Sequence, residues 1–529
     1  MTERGDVDNR LLQEALDAVA ANAEDVSVEP AILAGFELNR ASVLIDAGRF
    51  LEAAAIYRQM AAGGRAVPSA RRLEAAIRWA DLAFARETWN EVVEAQRRAV
   101  AHVDDLRSSQ STWWERYAWS GTSGKLAAMA AFALAKTGSA AAATAVLEEG
   151  RTMMLAERLG LSSTSAEADA RVVHLLATTA GGLAVVSGGS SPGVLVWLDK
   201  LGAATFLDRL ESYTSALEGF RRNSGLGFET FVGEVAEMVT LLGDALEPLI
   251  VALDDDHLIL VPVGVMTLLP ISAALLCGLA THRSVTTLPS LRLGRGRPTV
   301  TATDGVLVVA DLALPSARWE QAGVRGFFSA SETASVTSSV AEIMNILPSG
   351  GVVHFACHAE ANPGVPLDSG VDLPSGHRLT VAQILEADLQ AVRMVVLSSC
   401  ETGLPDPYGL DEGITLPAAL LAAGCGGVVS TLWLVEDMSC TLLMLRFYWE
   451  FCLQRTPGPL ALARAQRWQR STSDSQKCDF IDEHLIRRGV LDAAAGGAML
   501  HGLRRLSTSM AQNSFEEPYY WAGFCFSGR

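Results

Sequence analysis

The sequence predicts two unlike parts: an all-helical segment over residues 1–165 and an α/β domain with a mostly parallel sheet over 166–529. Three observations predict this. Residues 1–165 are Ala-rich with few Pro, and one helix–turn–helix pattern occurs in them three times. Beyond about residue 250, continuous apolar runs alternate with helical segments, as expected of strands buried on both faces and joined by crossover helices. Hydrophobic residues make up 49% of the 529 and charged residues 19%, so a large core can form.

In the first part, Ala41–Tyr57 turns at Gly48-Arg49, Ala80–Gln96 at Glu87-Thr88, and Ala131–Leu147 at Gly138-Ser139. Each is an apolar helix, a short turn, then a second helix that starts with small residues. Small residues at a crossing let paired helices approach, and such units stack into a solenoid with a shared core. The pattern resembles tetratricopeptide repeats; the alternative is an ordinary helical domain.

The pattern changes near Ser162-Ser163-Thr164-Ser165. Short strands are expected at 172–178, 183–186 and 194–197, then helices over 203–222 and 228–253. This opening part runs over 166–250, and the main sheet over 251–529. There, strands are expected at 258–262, 305–310, 352–358, 394–400 and 427–432. The linking helices are expected over 334–347, 379–387 and 416–423.

The formal net charge of −18 argues against nucleic-acid binding through phosphates. The 8 Cys all lie at or beyond Cys277 without a CxxC pair, so neither a zinc site nor a disulfide framework is expected. The polar start Met1-Thr2-Glu3-Arg4-Gly5-Asp6 is not a signal peptide. A reducing, cytoplasmic setting is expected. The uncharged stretches Leu175–Leu198 and Leu416–Val435 have the length of membrane spans, but glycines break both, and buried segments are expected instead.

The chemistry points to two strand ends. Val352-Val353-His354-Phe355-Ala356-Cys357-His358 and Met394-Val395-Val396-Leu397-Ser398-Ser399-Cys400 each end in a reactive side chain, 42 residues apart. Chemistry in parallel sheets gathers at the carboxyl ends of strands. Cys400 is the candidate nucleophile, and His358 is the base that a thiol needs at neutral pH. The competing reading is a buried Cys and a satisfied core His. His354, inside its strand, is read as core.

Acidic residues crowd these segments: Asp368, Asp372, Glu401, Asp411, Glu412, Glu436 and Asp437. Asp437, Asp368 and Glu401 are the candidates for a pocket that takes a basic side chain. Asp437 leads because it follows a buried strand, expected over Val428–Leu434, on the expected active edge. Solvated loop charge and helix-start carboxylates are the alternative. Arg378 and Arg393 are expected away from the strand ends.

At these residues the chain resembles the CHAT family, caspase-like and separase-related cysteine peptidase domains often joined to tetratricopeptide repeats. Val353-His354-Phe355-Ala356-Cys357-His358 is similar to the family's His strand, and Leu397-Ser398-Ser399-Cys400-Glu401-Thr402-Gly403 to its Cys strand. Pro366–Gly370, Asp411-Glu412-Gly413, Thr431-Leu432-Trp433 with Asp437, Leu260–Pro270 and Pro518–Gly523 are also family-like. The resemblance extends over about 165–529. It implies a His358/Cys400 dyad and an oxyanion hole from the backbone N–H groups of Ala359 and Cys400. The family has Thr-His-Gly where this chain has Cys357-His358-Ala359, and Ala disfavours the positive φ open to Gly.

The expected function is a regulated cysteine endopeptidase that cuts a specific protein partner, in programmed proteolysis such as bacterial defence. No cofactor, metal, nucleic acid or membrane is expected. The helical repeats are expected to bind a protein substrate or activator. The alternatives are a non-catalytic scaffold with a caspase-like fold and a Cys-dependent hydrolase of non-peptide esters.

Overall fold

The computed structural model describes residues 30–63, 67–159, 171–188, 193–293, 305–328, 333–335, 339–349, 351–362, 364–398, 403 and 410–528. The chain divides into two compact units, Met1–Met154 and Leu155–Arg529.

Every described element of the first unit is a helix: Pro30–Asp46, Phe50–Ala61, Ser69–Ala85, Trp89–Ser108, Trp113–Lys136, Ala140–Glu149, and Met153–Leu159, which runs on past the boundary. The three turns expected from the sequence share one local geometry. Gly48 N–H donates to Ile45 O and Arg49 N–H to Leu44 O; Glu87 and Thr88 donate to Phe84 O and Ala83 O; Gly138 and Ser139 donate to Ala135 O and Leu134 O. These paired bonds are the Schellman closure of a helix end, which needs one left-handed residue. That residue has φ 72° at Gly48, 55° at Glu87 and 86° at Gly138. Glu87 therefore adopts a conformation that its Cβ disfavours.

Successive helices are tied by small residues and a few polar clamps. Ala41, Ala53, Ala76, Ala80, Ala83, Ala95 and Ala99 are fully or nearly fully buried. Trp79 is buried, and its Nε1 donates to Glu91 Oε2 at 3.0 Å. The Arg58 guanidinium lies 5.1 Å from the Trp79 ring centroid and pairs with Glu91 at 3.2 Å. Three consecutive helices are thus joined around one indole.

The second unit is built on an 11-stranded sheet among the described residues. Its strands are β1 Val172–Thr178, β2 Gly181–Ser187, β3 Val194–Leu198, β4 His257–Pro262, β5 Ser284–Thr287, β6 Val306–Ala310, β7 Thr333–Ser335, β8 Gly351–Ala356, β12 Val392–Leu397, β13 Gly427–Thr431 and β14 Phe524–Gly528. The spatial order is β3-β2-β1-β4-β5-β14-β13-β12-β8-β6-β7. The β3-β2-β1 meander and the β14–β13 pair are antiparallel, and the other neighbours are parallel. A separate antiparallel sheet holds β9 His358–Glu360, β10 Gly370–Asp372 and β11 Arg378–Thr380.

Strand periodicity explains the core. Val306 and Val308, Val352, Met394 and Val396, and Val429 share one apolar cluster with Leu443, Met444 and Phe447 of helix Asp437–Tyr448. The intervening Val353, Phe355, Val395, Leu397 and Val428 are equally buried, so both faces are covered. Helices Ala204–Arg222 and Ser224–Ala252 add Phe206, Tyr213, Phe220 and Phe231 to the same cluster. A second cluster joins Met438, Leu442 and Leu445 to Ile481, Leu485, Met499, Leu503 and Phe515. Among the described residues no helix is long and apolar enough to cross a membrane.

Three expectations change. Residues 333–335 pair with β6 as a strand, and the helix expected over 334–347 is confined to Val340–Ile346. The helix expected over 379–387 is the short Val381–Ile384, because Arg378–Thr380 pairs with β10 as β11. Val428–Leu434 is not one strand: β13 stops at Thr431, and Asp437 is the first residue of a helix.

Candidate active site

The sheet places β8 beside β12 in parallel, with Phe355 opposite Leu397. Ser398 N–H continues the ladder by donating to Phe355 O at 3.0 Å. On the other side of β8, Asp311 N–H donates to Ala356 O at 2.9 Å, so β6, β8 and β12 end at a common edge. Beyond Ala356 the backbone leaves the main sheet, and His358 begins β9, opposite Asp372 of β10. His358 is exposed at this edge. Cys400 and Glu401 lie outside the described residues, and the sequence reaches Cys400 two residues after Ser398.

A cavity of about 190 Å³ opens at the edge. Its lining includes His358 and Ser398 beyond the strand ends, Leu314, Pro315 and Glu320 from the loop after β6 and helix Ala317–Gly326, and Asp437 from helix Asp437–Tyr448. Cys357 and Cys440 complete part of the wall. Burial pushes the Cys357 thiol up to about 12, so it stays protonated and donates to Val309 O at 3.5 Å. Cys440 Sγ lies 3.1 Å from Ser398 Oγ.

Asp437 is half-buried, and its Oδ2 accepts the Ser316 N–H at 2.7 Å. Burial raises its carboxyl above the ordinary aspartate range; the Ser316 bond opposes this, Glu320 adds to it, and His358 opposes it. Glu436 caps the same helix, accepting the Ser439 N–H at 2.7 Å, and burial raises its carboxyl as well.

Beneath the cavity lies a buried polar cluster that sequence reasoning missed. His354 is fully buried, with Nδ1 3.1 Å from the Tyr448 hydroxyl and Nε2 2.9 Å from Glu320 Oε1. Glu320 is 3% exposed, and its Oε2 accepts the Thr441 hydroxyl at 3.2 Å. A histidine inside a wholly apolar strand needs a polar partner. That was the available signal, but nothing in the sequence singles out Glu320 as the partner.

The other acidic residues separate. Asp368 is exposed on the turn Pro366–Asp368 and is not among the residues lining the cavity. Asp411 is buried, and its Oδ1 accepts the Gly264 N–H at 3.0 Å. Asp372 pairs with Arg378 at 2.7 Å, and the same guanidinium reaches Glu360. Arg378 therefore stands in the small sheet with His358, not away from the strand ends, because β11 folds back onto β10. Arg393 lies 4.8 Å from the Phe451 ring centroid. Ala359 sits in β9 opposite Val371 and is not among the positive-φ residues, so it occupies its place without the strain that a left-handed conformation would bring. Among the described residues, no three His, Cys, Asp or Glu side chains gather as a metal site.

A mostly parallel sheet whose strands β8 and β12 end side by side, with a cavity at that edge lined in part by Glu320 and Asp437, defines an α/β domain with a candidate site at its carboxyl edge. The CHAT domain model matches residues 236–529, more than half of the sequence, and the chain belongs to that family. The match begins inside helix Ser224–Ala252, later than the expected 165, although β1–β3 are hydrogen-bonded into the same sheet. Among solved structures, the Saccharomyces cerevisiae separase–securin complex at 2.6 Å resolution has a similar fold. It matches with TM-score 0.51 and 10% identity, over 94% of this chain and 44% of that one. A second structure of that complex, at 3.0 Å, gives TM-score 0.45 and 9% identity over 87% and 37%. The chain spans less than half the length of those separase chains. No curated protein matches it by sequence.

Proposed function

We propose that the chain is a cysteine endopeptidase acting on a protein partner, with His358 and Cys400 as its dyad. The observation that supports this most is the register of β8 and β12. Phe355 and Leu397 are opposed, His358 lies three residues beyond the first, and Cys400 lies three beyond the second. Equal overhangs from adjacent parallel strands bring two side chains to one edge, which is what a nucleophile and its base require.

In this reading His358 takes the thiol proton of Cys400, and the thiolate attacks the scissile carbonyl. The oxyanion is met by the N–H groups of Ala359 and Cys400. His358 then protonates the leaving amine, and water releases the acyl group. Cys357 cannot substitute, since burial keeps its thiol protonated. The cavity beside His358 holds the side chain that precedes the scissile bond, and its carboxylates favour a basic one. The helical unit carries repeats that bind the substrate or an activating protein.

Labelling by an electrophilic thiol probe tests the dyad. Wild type is expected to be modified at Cys400, and His358→Ala to slow this by about 100-fold, the lower end of general-base effects. Proteomics of new N-termini, with Cys400→Ala as the control, would then identify the substrate. A Cys400 no more reactive than an ordinary surface thiol would favour the non-catalytic scaffold.

A further inference from the structure

The small sheet that begins at His358 has two unlike faces. Ala359, Val371 and Leu379 are opposed across its three strands, and so are His358, Asp372 and Arg378. Val371 and Leu379 are each 1% exposed, so their face packs inward. The opposite face therefore carries His358 of β9, Asp372 of β10 and Arg378 of β11 in one row, with Glu360 two residues along β9.

The phase of the hydrogen bonds shows how this row is held. Leu373 N–H donates to His377 O at 2.8 Å, and Val381 N–H donates to Ser369 O at 2.8 Å. The backbone of Ser369, Val371 and Leu373 thus faces β11, and that of Gly370 and Asp372 faces β9. His358 and Asp372 are then a hydrogen-bonded pair, with side chains on one face and Cβ atoms about 5.5 Å apart. Arg378 places the Asp372 carboxylate: its Nε donates to Oδ1 at 2.7 Å and its Nη2 to Oδ2 at 3.2 Å. The same Nη2 also pairs with Glu360.

We propose that Asp372 is a positioning residue for His358. From directly across the β9–β10 pair its carboxylate draws the imidazole N–H and steadies the charged ring, and Arg378, bound to the same carboxylate, weakens that hold. The inference rests on the peptidase reading only in taking His358 as the working base. A base that accepts a proton and then returns it is aided by a third group that orients it. The main chain of both residues is fixed by their pairing, so rotation about side-chain bonds is enough to bring ring and carboxylate together. Other charges approach His358 from elsewhere. Asp437 and Glu320 line the cavity with it, Asp311 stands just past β6, and Arg221 of helix Ala204–Arg222 reaches Ala361 O beyond β9. These belong to other elements and stay constant when Asp372 or Arg378 is replaced.

Titration of the His358 ring by NMR tests this. The sample is full-length chain with Cys400→Ala and isotope-labelled histidine, and the exposed His501 serves as internal reference. Asp372→Asn keeps the shape of the side chain and removes its charge. It should lower the midpoint of the His358 titration by about 0.5 pH unit, a modest change because both side chains reach solvent. Arg378→Gln removes the competing guanidinium and should raise the midpoint by about the same amount. Changes of opposite sign from two residues that bind each other are not produced by a general loosening of the sheet. A midpoint in Asp372→Asn within about 0.1 pH unit of the parent would overturn the proposal, as would changes of the same sign in the two variants. If Asp372→Asn does not fold, the direction of the Arg378→Gln change decides. An unreactive Cys400 alongside the two opposed changes would defeat the peptidase reading and leave the hold of Asp372 on His358 standing.

Discussion

Removing the Asp437 charge should separate recognition from stability. Asp437 has one oxygen committed to the Ser316 N–H, is half-buried, and lines the cavity beside His358. Truncating one partner of a buried, hydrogen-bonded charge pair costs about 2–5 kcal/mol. Partial exposure and the competing Ser316 bond place Asp437 near the lower end, about 2 kcal/mol, which corresponds to roughly a 30-fold loss in kcat/KM. Asp437→Ala and Asp437→Asn should therefore lose about that factor for peptides with a basic residue before the scissile bond, and change little for apolar ones. The sign of the pH effect follows from the carboxyl, which burial raises above its unfolded value. The folded state holds that proton more tightly, so ionising Asp437 costs stability as pH rises from about 3.9 through the higher folded value. Asp437→Asn, which keeps an acceptor for Ser316, should be as stable as wild type at pH 7 or more so in urea. Peptide-library profiling with denaturation of the same variants provides the measurement. Strong selection for Asp before the scissile bond, or an unchanged preference in Asp437→Asn, would refute the reasoning.

Three further outcomes follow from other parts of the molecule. Glu87→Gly should raise the helical unit's unfolding free energy by about 0.5–1 kcal/mol, since relief of the left-handed strain outweighs the added chain entropy; Gly138→Ala should lower it by about 1 kcal/mol, and hydrogen exchange of helices 69–85 and 113–136 reads both. Replacing His354 by Ala should destabilise the second unit by about 3–5 kcal/mol, because it strands the Glu320 carboxylate in the core; His354→Ala with Glu320→Leu should recover part of that loss in thermal melts. Lys477 is buried, donating to Thr472 O and Asn513 Oδ1 at 2.6 Å each, and burial lowers its pKa to about 8. The unfolded chain then binds the extra proton between about pH 8 and 10.4, so wild type should gain stability relative to Lys477→Met across that window, by at most about 1.4 kcal/mol per pH unit. Urea midpoints at pH 8, 9 and 10 that move in parallel for the two proteins would contradict this.

Much of the architecture was legible in the chain because it rests on local rules. The three helix turns were marked by Gly48, Glu87 and Gly138 between apolar helices, and β1, β8 and β12 by continuous β-branched and apolar runs. Parallel pairing followed from alternation with helices. His358 was placed just past a strand end by counting, since strand length and the polar break after it are sequence properties; Cys400, counted in the same way, lies outside the described residues. Asp437 was singled out for a related reason, although its local setting is a helix start and not a strand end.

What the sequence could not supply was pairing between distant segments. Residues 378–380 read as the start of a helix and became β11, because β10 offered an edge to pair with. Phe524–Gly528 inserts between β5 and β13, parallel to the first and antiparallel to the second, a choice made by long-range packing with no local signature. That same packing decided the chemistry of the cavity. Helix Ala317–Gly326 has an ordinary amphipathic pattern, and only its docking against β8 and helix Asp437–Tyr448 turned Glu320 from a surface acid into the buried partner of His354. The sequence by itself determined the helical first part and the apolar strands β1, β4, β6, β8, β12 and β13, through periodicities of a few residues. The tertiary structure alone decided which ends meet and which charges share a cavity, because those depend on contacts between segments tens of residues to more than a hundred apart, to which local propensity is blind.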